Sequence, residues 1–164
     1  MKKYALILVF CGLFSLIHAQ ESDPVFWTFS IKESTDTSLV LNIQANIDRG
    51  WYIYSEDLPQ GGPFPLTFIF TNKSPKEVSS VTALTKPHEM FDEIFGITVR
   101  YYEETARFEH SFVTDGEKFE TMVITEAQAC NKIDGRCVIS SSIVQVFAAK
   151  REGAWKIVDI KVTN

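Results

Sequence analysis

The chain has 164 residues, of which 21 are acidic and 16 are basic, so its formal net charge at pH 7 is −5. This acidic balance excludes nucleic acid as a partner, because phosphate binding depends on a surplus of lysine and arginine. We expect one domain, since a chain of this length can bury a complete hydrophobic core.

The first twenty residues have the pattern of a secretory signal peptide. Two lysines precede an apolar stretch over residues 4–17, and the small residue Ala19 suits cleavage there or just after it. This stretch is too short for a bilayer-spanning helix, which needs about twenty apolar residues. We therefore predict a signal peptide over residues 1–20 and a mature domain over 21–164. No later segment is apolar enough to insert the mature chain into a membrane.

Export determines the expected state of the cysteines. Cys11 is removed with the signal peptide, which leaves Cys130 and Cys137 in the mature chain. Thiols form persistent disulfides in oxidising compartments, so a disulfide between these two residues is the default expectation.

Alternation of apolar and polar residues with a period of two predicts β-strands through most of the mature chain. The first two strands, over residues 25–31 and 39–47, flank turn-forming residues at 33–36 and predict an antiparallel hairpin. Further strands are predicted over 51–55, 65–71, 77–84, 97–102, 106–113, 118–125, 142–149 and 155–162. Short strands at this spacing, with 13 Phe, 5 Tyr and 3 Trp to fill a core, predict an all-β sandwich of two antiparallel sheets.

Two segments interrupt the strand period. Residues 58–65 contain three prolines and a Gly pair, which exclude ladder pairing and favour a rigid connection. Residues 86–96 carry four large apolar side chains without any strand period. These side chains either tuck beneath the loop as a satellite core or cover a group that must be hidden from water, and composition alone favours the first.

Six residues separate Cys130 from Cys137, and Asp134-Gly135 between them is a strong turn signal. The two cysteines can therefore face each other across the base of a hairpin-like loop. Two interpretations stay open: a structural disulfide that stabilises the fold, or a redox pair that alternates between disulfide and dithiol. Redox exchange needs an exposed sulfur that attacks and a second sulfur close by, and the spacing satisfies only the second condition.

Other chemistries have little support from the sequence. His88 and His110 are scattered, and no second cysteine pair provides the usual spacing of zinc ligands. No local motif supports hydrolysis by a cysteine and histidine couple. We therefore expect neither a metal nor a cofactor.

Four pieces of sequence carry a family resemblance: GWYIYS at 50–55, GGP with PLT at 61–67, DEIFG at 92–96, and QAC at 128–130 with Cys137. Together they resemble the N-terminal periplasmic domain of the thiol:disulfide interchange protein DsbD. The resemblance covers residues 25–147, nearly all of the mature chain.

The resemblance implies an immunoglobulin-like β-sandwich in the periplasm. Its cysteine pair would take electrons from a membrane-bound and thioredoxin-like relay and pass them to oxidised exported proteins. In this family the second cysteine is the attacking sulfur, which is Cys137 here, and Cys130 would be the resolving partner. The implied partners are thioredoxin-like periplasmic proteins and a separate membrane electron transporter, since this chain has neither membrane spans nor a thioredoxin-like part.

The family also has a cap loop that shields the active disulfide. It matches a segment of five residues here, namely Asp92, Glu93, Ile94, Phe95 and Gly96. The two acidic residues, if close to Cys137, would raise the pKa of its thiol by like-charge repulsion, whereas Lys132 and Arg136 would act in the opposite direction.

The chain departs from the family pattern in three places. It has more residues between its cysteines, it lacks a proline pair after Cys137, and Ile94 replaces an aromatic ring at the start of the cap. An alternative function is therefore a non-catalytic immunoglobulin-like interaction module whose disulfide is structural. The C-terminal hairpin over 145–162, which lies mostly beyond the resemblance, would then provide an added interaction surface or simply an extra edge strand.

Overall fold

The computed structural model describes residues 23–74, 76–77, 80–114 and 116–163. The predicted signal peptide lies outside the described residues. Within them, no helix is long and apolar enough to cross a membrane.

The described part of the chain consists of twelve β-strands joined by turns and loops. They are β1 (Val25–Ser34), β2 (Ser38–Ile47), β3 (Trp51–Tyr54), β4 (Thr67–Ser74), β5 (Lys76–Glu77), β6 (Thr82–Ala83), β7 (His88–Asp92), β8 (Ile97–Glu103), β9 (Thr105–Val113), β10 (Lys118–Asn131), β11 (Cys137–Arg151) and β12 (Ala154–Thr163).

The strands of the described residues pair into two antiparallel sheets. One sheet has the order β1-β2-β9-β5, with β6 also paired to β9, and the other has the order β12-β11-β10-β3-β8-β7, with β4 also paired to β10. The predicted all-β sandwich of two antiparallel sheets in a single domain is confirmed.

The core lies between the two sheets and follows from the period-two alternation. Along β2 every second residue from Leu39 to Ile47 is buried, and the residues between them are only partly covered. Aromatic rings join the two sheets, with Phe108 packed against Phe68 at 5.0 Å and against Tyr102 at 5.4 Å between ring centroids. Both contacts are tilted or edge-to-face, the arrangement that aromatic quadrupoles favour.

Two predicted hairpins are present. The first joins β1 to β2, and the second joins β11 to β12 through Glu152 and Gly153. Both residues of this second turn have positive φ, 54° and 79°, as a tight two-residue turn between twisted strands requires.

The prediction that residues 86–96 lack strand structure is wrong, because β7 lies there and forms a hairpin with β8. The alternation is present but inverted: Asp92 is buried, whereas the neighbouring Phe91 is exposed. A polar residue facing inward and an aromatic one facing outward hide the strand period from a hydrophobicity pattern. The predicted strand over 77–84 is replaced by the short strands β5 and β6, with residues 78–79 outside the described ranges.

Truncation of a ring at the sheet interface should measure how much this packing stabilises the fold. Phe108 is fully buried, so Phe108→Ala should lower the free energy of unfolding by about 3–5 kcal/mol. Phe26→Ala is the matched control, because Phe26 is 66% exposed, and its effect should stay within about 0.5 kcal/mol. Urea unfolding of both variants checks this, and equal losses would contradict the assignment of the core.

Candidate functional site

The two cysteines stand directly opposite each other where β10 ends and β11 begins. Their Cα atoms are 4.1 Å apart, and the sulfurs form a disulfide. The antiparallel ladder that holds them runs from the Lys118–Ala149 pair to the Cys130–Cys137 pair. Backbone pairing alone therefore brings the two sulfurs together, as the hairpin-like spacing predicts.

The loop between the cysteines is closed by its own polar groups. The side-chain oxygen of Asn131 accepts a hydrogen bond from the backbone N–H of Ile133 at 2.8 Å, and the carboxylate of Asp134 accepts one from the N–H of Arg136 at 3.0 Å. Gly135 has φ of 71°, a conformation that glycine adopts at little cost, and its N–H donates to the Asn131 carbonyl at 3.0 Å. The Asp-Gly turn signal in the sequence is the origin of this reversal.

The two cysteines differ in exposure. Cys130 is only 1% exposed, whereas Cys137 is exposed to solvent. Both belong to the same disulfide, so an approaching thiolate meets the Cys137 side of the bond.

Cys130 is buried although it does not face the main core. In β10 the core residues are those with odd numbers up to Ala129, so Cys130 projects from the opposite, outer face of the sheet. There it joins a second small apolar cluster outside the sandwich core. We call this group the outer cluster; it consists of Tyr54, Val99 and Cys130, with Tyr52, Leu58, Met90 and Ile97 packed against them.

The β7–β8 hairpin supplies the cover of the outer cluster. Met90 on β7 is paired with Val99 on β8, and Ile97 packs against the same cluster. The aromatic residues of β3 complete it, because Tyr52 is the direct ladder partner of Cys130. Three elements far apart in sequence thus meet around the buried sulfur.

One hydrogen bond ties this hairpin to β3. The Tyr54 hydroxyl donates to the Asp92 carboxylate at 2.8 Å, and both residues are buried. Burial, followed by hydrogen bonds to Tyr52 and to Asp92, holds the pKa of Tyr54 well above its ordinary range. The same hydrogen bond that ties the hairpin to β3 thus also favours the neutral, donating form of the phenol.

Of the predicted cap residues, Asp92 is buried, and the other four are exposed to solvent. The second carboxylate oxygen of Asp92 accepts the backbone N–H groups of Ile94 at 2.9 Å and Phe95 at 3.2 Å, which fixes the turn. Ile94 is 87% exposed, Phe95 is 36% exposed, and Glu93 also faces solvent. Gly96 closes the turn with φ of 68°, its N–H donating to the Asp92 carbonyl at 2.7 Å. The carboxylate of Asp92 is thus engaged in holding the turn.

The proline-rich segment 58–65, predicted as a rigid connection, also reaches the site. The Phe64 N–H donates to the side-chain oxygen of Gln128 at 2.9 Å, and the Gln128 side-chain nitrogen lies 3.8 Å from the Cys130 sulfur. A Cβ atom at Gly62 would come within 3.0 Å of Ile97 in the β7–β8 hairpin. The position of Gln128 two residues before Cys130 was the sequence signal for this contact, because both side chains then share one face of the strand.

A row of aromatic rings extends from the outer cluster to the edge of the sheet. Ring centroids are 5.4 Å apart for Tyr54 and Tyr52, 5.3 Å for Tyr52 and Tyr101, and 5.4 Å for Tyr101 and His88. The row follows the pairing of β3 with β8 and of β8 with β7, and only the structure reveals it.

The two cations that the sequence places near Cys137 are held in contacts of their own. Lys132 forms an ion pair with Glu103, and this hydrogen bond is the main cause of a raised Lys132 pKa. The Arg136 guanidinium lies 5.5 Å from the Trp51 ring centroid. His88 and His110 lie in different sheets, where His110 stacks on Phe70 in the interior.

The solved structures that are similar to this chain include two from Neisseria meningitidis. One is the DsbD N-terminal domain in the reduced form, with 17% identity and a TM-score of 0.46, covering 80% of this chain and 89% of that chain. The other is a complex between the DsbD N-terminal and PilB N-terminal domains, with 15% identity and a TM-score of 0.39, covering 70% and 80%. A search of curated protein sequences finds no match.

The family profile described as "Thiol:disulfide interchange protein DsbD, N-terminal" matches residues 19–148. This match spans more than half of the chain and includes both cysteines of the disulfide and all five cap residues. The chain therefore belongs to the family of DsbD N-terminal domains.

Proposed function

We propose that this chain is a periplasmic thiol:disulfide exchange domain that carries electrons through Cys130 and Cys137 to oxidised exported proteins. The observation that supports this most directly is the difference between the two residues, one exposed and one buried, within a single disulfide. Exchange needs one sulfur that a partner can reach and a neighbour that completes the reaction.

The reaction balances as two successive exchanges. A donor thiolate attacks the Cys137 sulfur, the bond to Cys130 breaks, and Cys130 leaves as a thiolate that takes up a proton. The donor's second thiolate then attacks the donor's first sulfur, which is bonded to Cys137 in the mixed disulfide, and Cys137 leaves as a thiolate. The donor is then oxidised, and both cysteines of this chain are reduced.

The same steps run in the opposite direction with the acceptor. The Cys137 thiolate attacks the disulfide of an oxidised protein and forms a mixed disulfide with it. The Cys130 thiolate then attacks the Cys137 sulfur, so the Cys130–Cys137 bond forms again and the acceptor leaves as a dithiol. Two electrons and two protons pass to the acceptor, and no cofactor takes part.

Access to the sulfurs would provide the specificity of this exchange. The β7–β8 hairpin and the segment 58–65 both lie against the face that carries Cys130, and Tyr54 and Asp92 hold the hairpin to β3. The cover encloses the Cys130 sulfur, which must leave as a thiolate when the exposed Cys137 sulfur is attacked. A small thiol that reaches Cys137 leaves this cover closed, whereas a docked protein can displace it. In this proposal residues 92–96 form the turn of the shielding hairpin.

The proposed donors are thioredoxin-like periplasmic proteins and a membrane electron transporter. This assignment follows from membership of the family, whose members act in thiol:disulfide interchange. The disulfide and the signal peptide predicted for residues 1–20 are compatible with a place in the periplasm.

The roles of the two cysteines can be separated by trapping. The reduced Cys130→Ser variant should form a stable mixed disulfide with a thioredoxin-like protein whose attacking cysteine is activated by a thionitrobenzoate leaving group. The matched Cys137→Ser variant should react at least about tenfold more slowly, because its remaining thiol is covered. Non-reducing electrophoresis and mass spectrometry measure both products, and equal rates would remove the assignment of Cys137 as the attacking sulfur.

The hydrogen bond between Tyr54 and Asp92 should control access. Its loss in Tyr54→Phe should weaken the hold on the hairpin by about 1.5 kcal/mol, since the acceptor is a carboxylate. If opening of the hairpin limits reduction, dithiothreitol should then reduce the disulfide about tenfold faster. Tyr101→Phe is the control, because it removes a hydroxyl from the same aromatic row but leaves Asp92 its donor. Equal rates for both variants would contradict a shielding role.

The reduction potential distinguishes exchange from a purely structural disulfide. Equilibration of the mature chain with glutathione buffers should give a potential above about −300 mV, the range of disulfides that partner proteins can reduce. A lower value, with no reduction by any thioredoxin-like protein, would favour the non-catalytic interaction module.

A further inference from the structure

The last strand, β12, forms an edge of its sheet. Ala154–Thr163 pair with β11 on one side, and in the described part of the chain no strand pairs with the other side. The strand lies beyond residues 19–148, which match the family. The thiol:disulfide exchange proposed above does not involve β12.

The inner, apolar row of the sheet continues onto this edge and becomes exposed. Ile160 is paired with Val146, and Val162 is paired with Val144, both of which are buried core residues. Yet Ile160 is 40% exposed and Val162 is 60% exposed. An unpaired edge with a partly exposed apolar face is a template for another strand, because the backbone N–H and C=O groups on its open side have no strand to pair with.

Two charged side chains on the outer face of β12 limit the charges that a pairing strand can carry. Asp159 and Lys161 project from the same face, with 3.9 Å between the carboxylate and ammonium groups. Both side chains are more than half exposed. A strand that pairs with this edge must place opposite charges across from them, since like charges directly opposite each other are destabilising.

We propose that β12 pairs with β12 of a second copy of this chain, antiparallel and centred on Ile160. Directly opposed residues point to the same face of a sheet, so a two-fold axis normal to the sheet must pass midway between one residue and its own copy in the partner strand. A centre at Asp159 opposes two aspartates, and a centre at Lys161 opposes two lysines. A centre at Ile160 places each Asp159 opposite Lys161 of the partner subunit, which gives two ion pairs and joins the apolar rows.

The geometry of the strand limits the strength of this dimer. The register shift between Phe147 and Ala148 places an extra residue, Val158, in β12 and ends the regular part of the edge. The paired stretch is short, so the interface falls below the size of a stable dimer and should form only at high protein concentration. Because β12 pairs with Ile143–Arg151, it leaves free the start of β11, where Cys137 lies.

Charge reversal tests the register. In sedimentation equilibrium the oxidised mature chain should show a concentration-dependent dimer. Asp159→Lys should be at least about tenfold weaker in self-association, because the introduced lysine then faces Lys161 twice, and Lys161→Asp should be equally weak because two pairs of carboxylates then face each other. An equimolar mixture of the two variants should dimerise again, since every cross-strand pair in the mixed dimer joins opposite charges.

The double variant Asp159→Lys/Lys161→Asp is the matched control, because it exchanges the two charges within one chain and should restore the homodimer. Both positions are exposed, so circular dichroism and thermal unfolding should show the fold unchanged in each single variant. A wild-type chain that stays monomeric at the highest concentration, whether or not it captures a strand of another protein, overturns the proposal. A dimer that survives either single variant, or is not restored by mixing, overturns it as well.

Discussion

The alternation of side chains along β10 is the constraint on which the site depends. One face of this strand lines the sandwich core as far as Ala129, and the next residue, Cys130, must therefore project from the other face. The ladder with β11 then fixes Cys137 directly opposite. The same alternation that points the odd-numbered residues into the core points the disulfide to the outside of the sandwich, apart from the main packing.

A sulfur on the outer face of a sheet would normally be open to water, and the outer cluster prevents this. Its apolar residues come from β3, β7, β8 and the segment 58–65, and it is separate from the main core. Regions with few buried contacts open more easily than the rest of a fold. The cover of Cys130 is therefore a separate unit from the main core, while the cysteines themselves belong to the extensively paired strands β10 and β11.

Much of this could be predicted from the sequence because period-two alternation is a local signal. Together with turn residues it predicted both hairpins and the two-sheet sandwich, and the Asp134-Gly135 turn signal between the cysteines predicted that they face each other. It failed at β7, where Asp92 faces inward to meet Tyr54 and Phe91 faces outward, since this inversion depends on a partner 38 residues away in the chain. The contact of the proline-rich segment with Gln128 is equally non-local, over 64 residues. The exposure that distinguishes Cys130 from Cys137 arises from such contacts, and no local pattern predicts it.

The ladder that aligns the cysteines has a consequence for the evolution of the loop between them. Because paired backbone from Lys118 to Cys130 sets the position of the sulfurs, the turn at residues 132–135 reverses the chain without having to position either cysteine. An insertion or deletion at this tip would leave in place the backbone pairing that aligns the two sulfurs, so the disulfide could survive a change in the length of the loop.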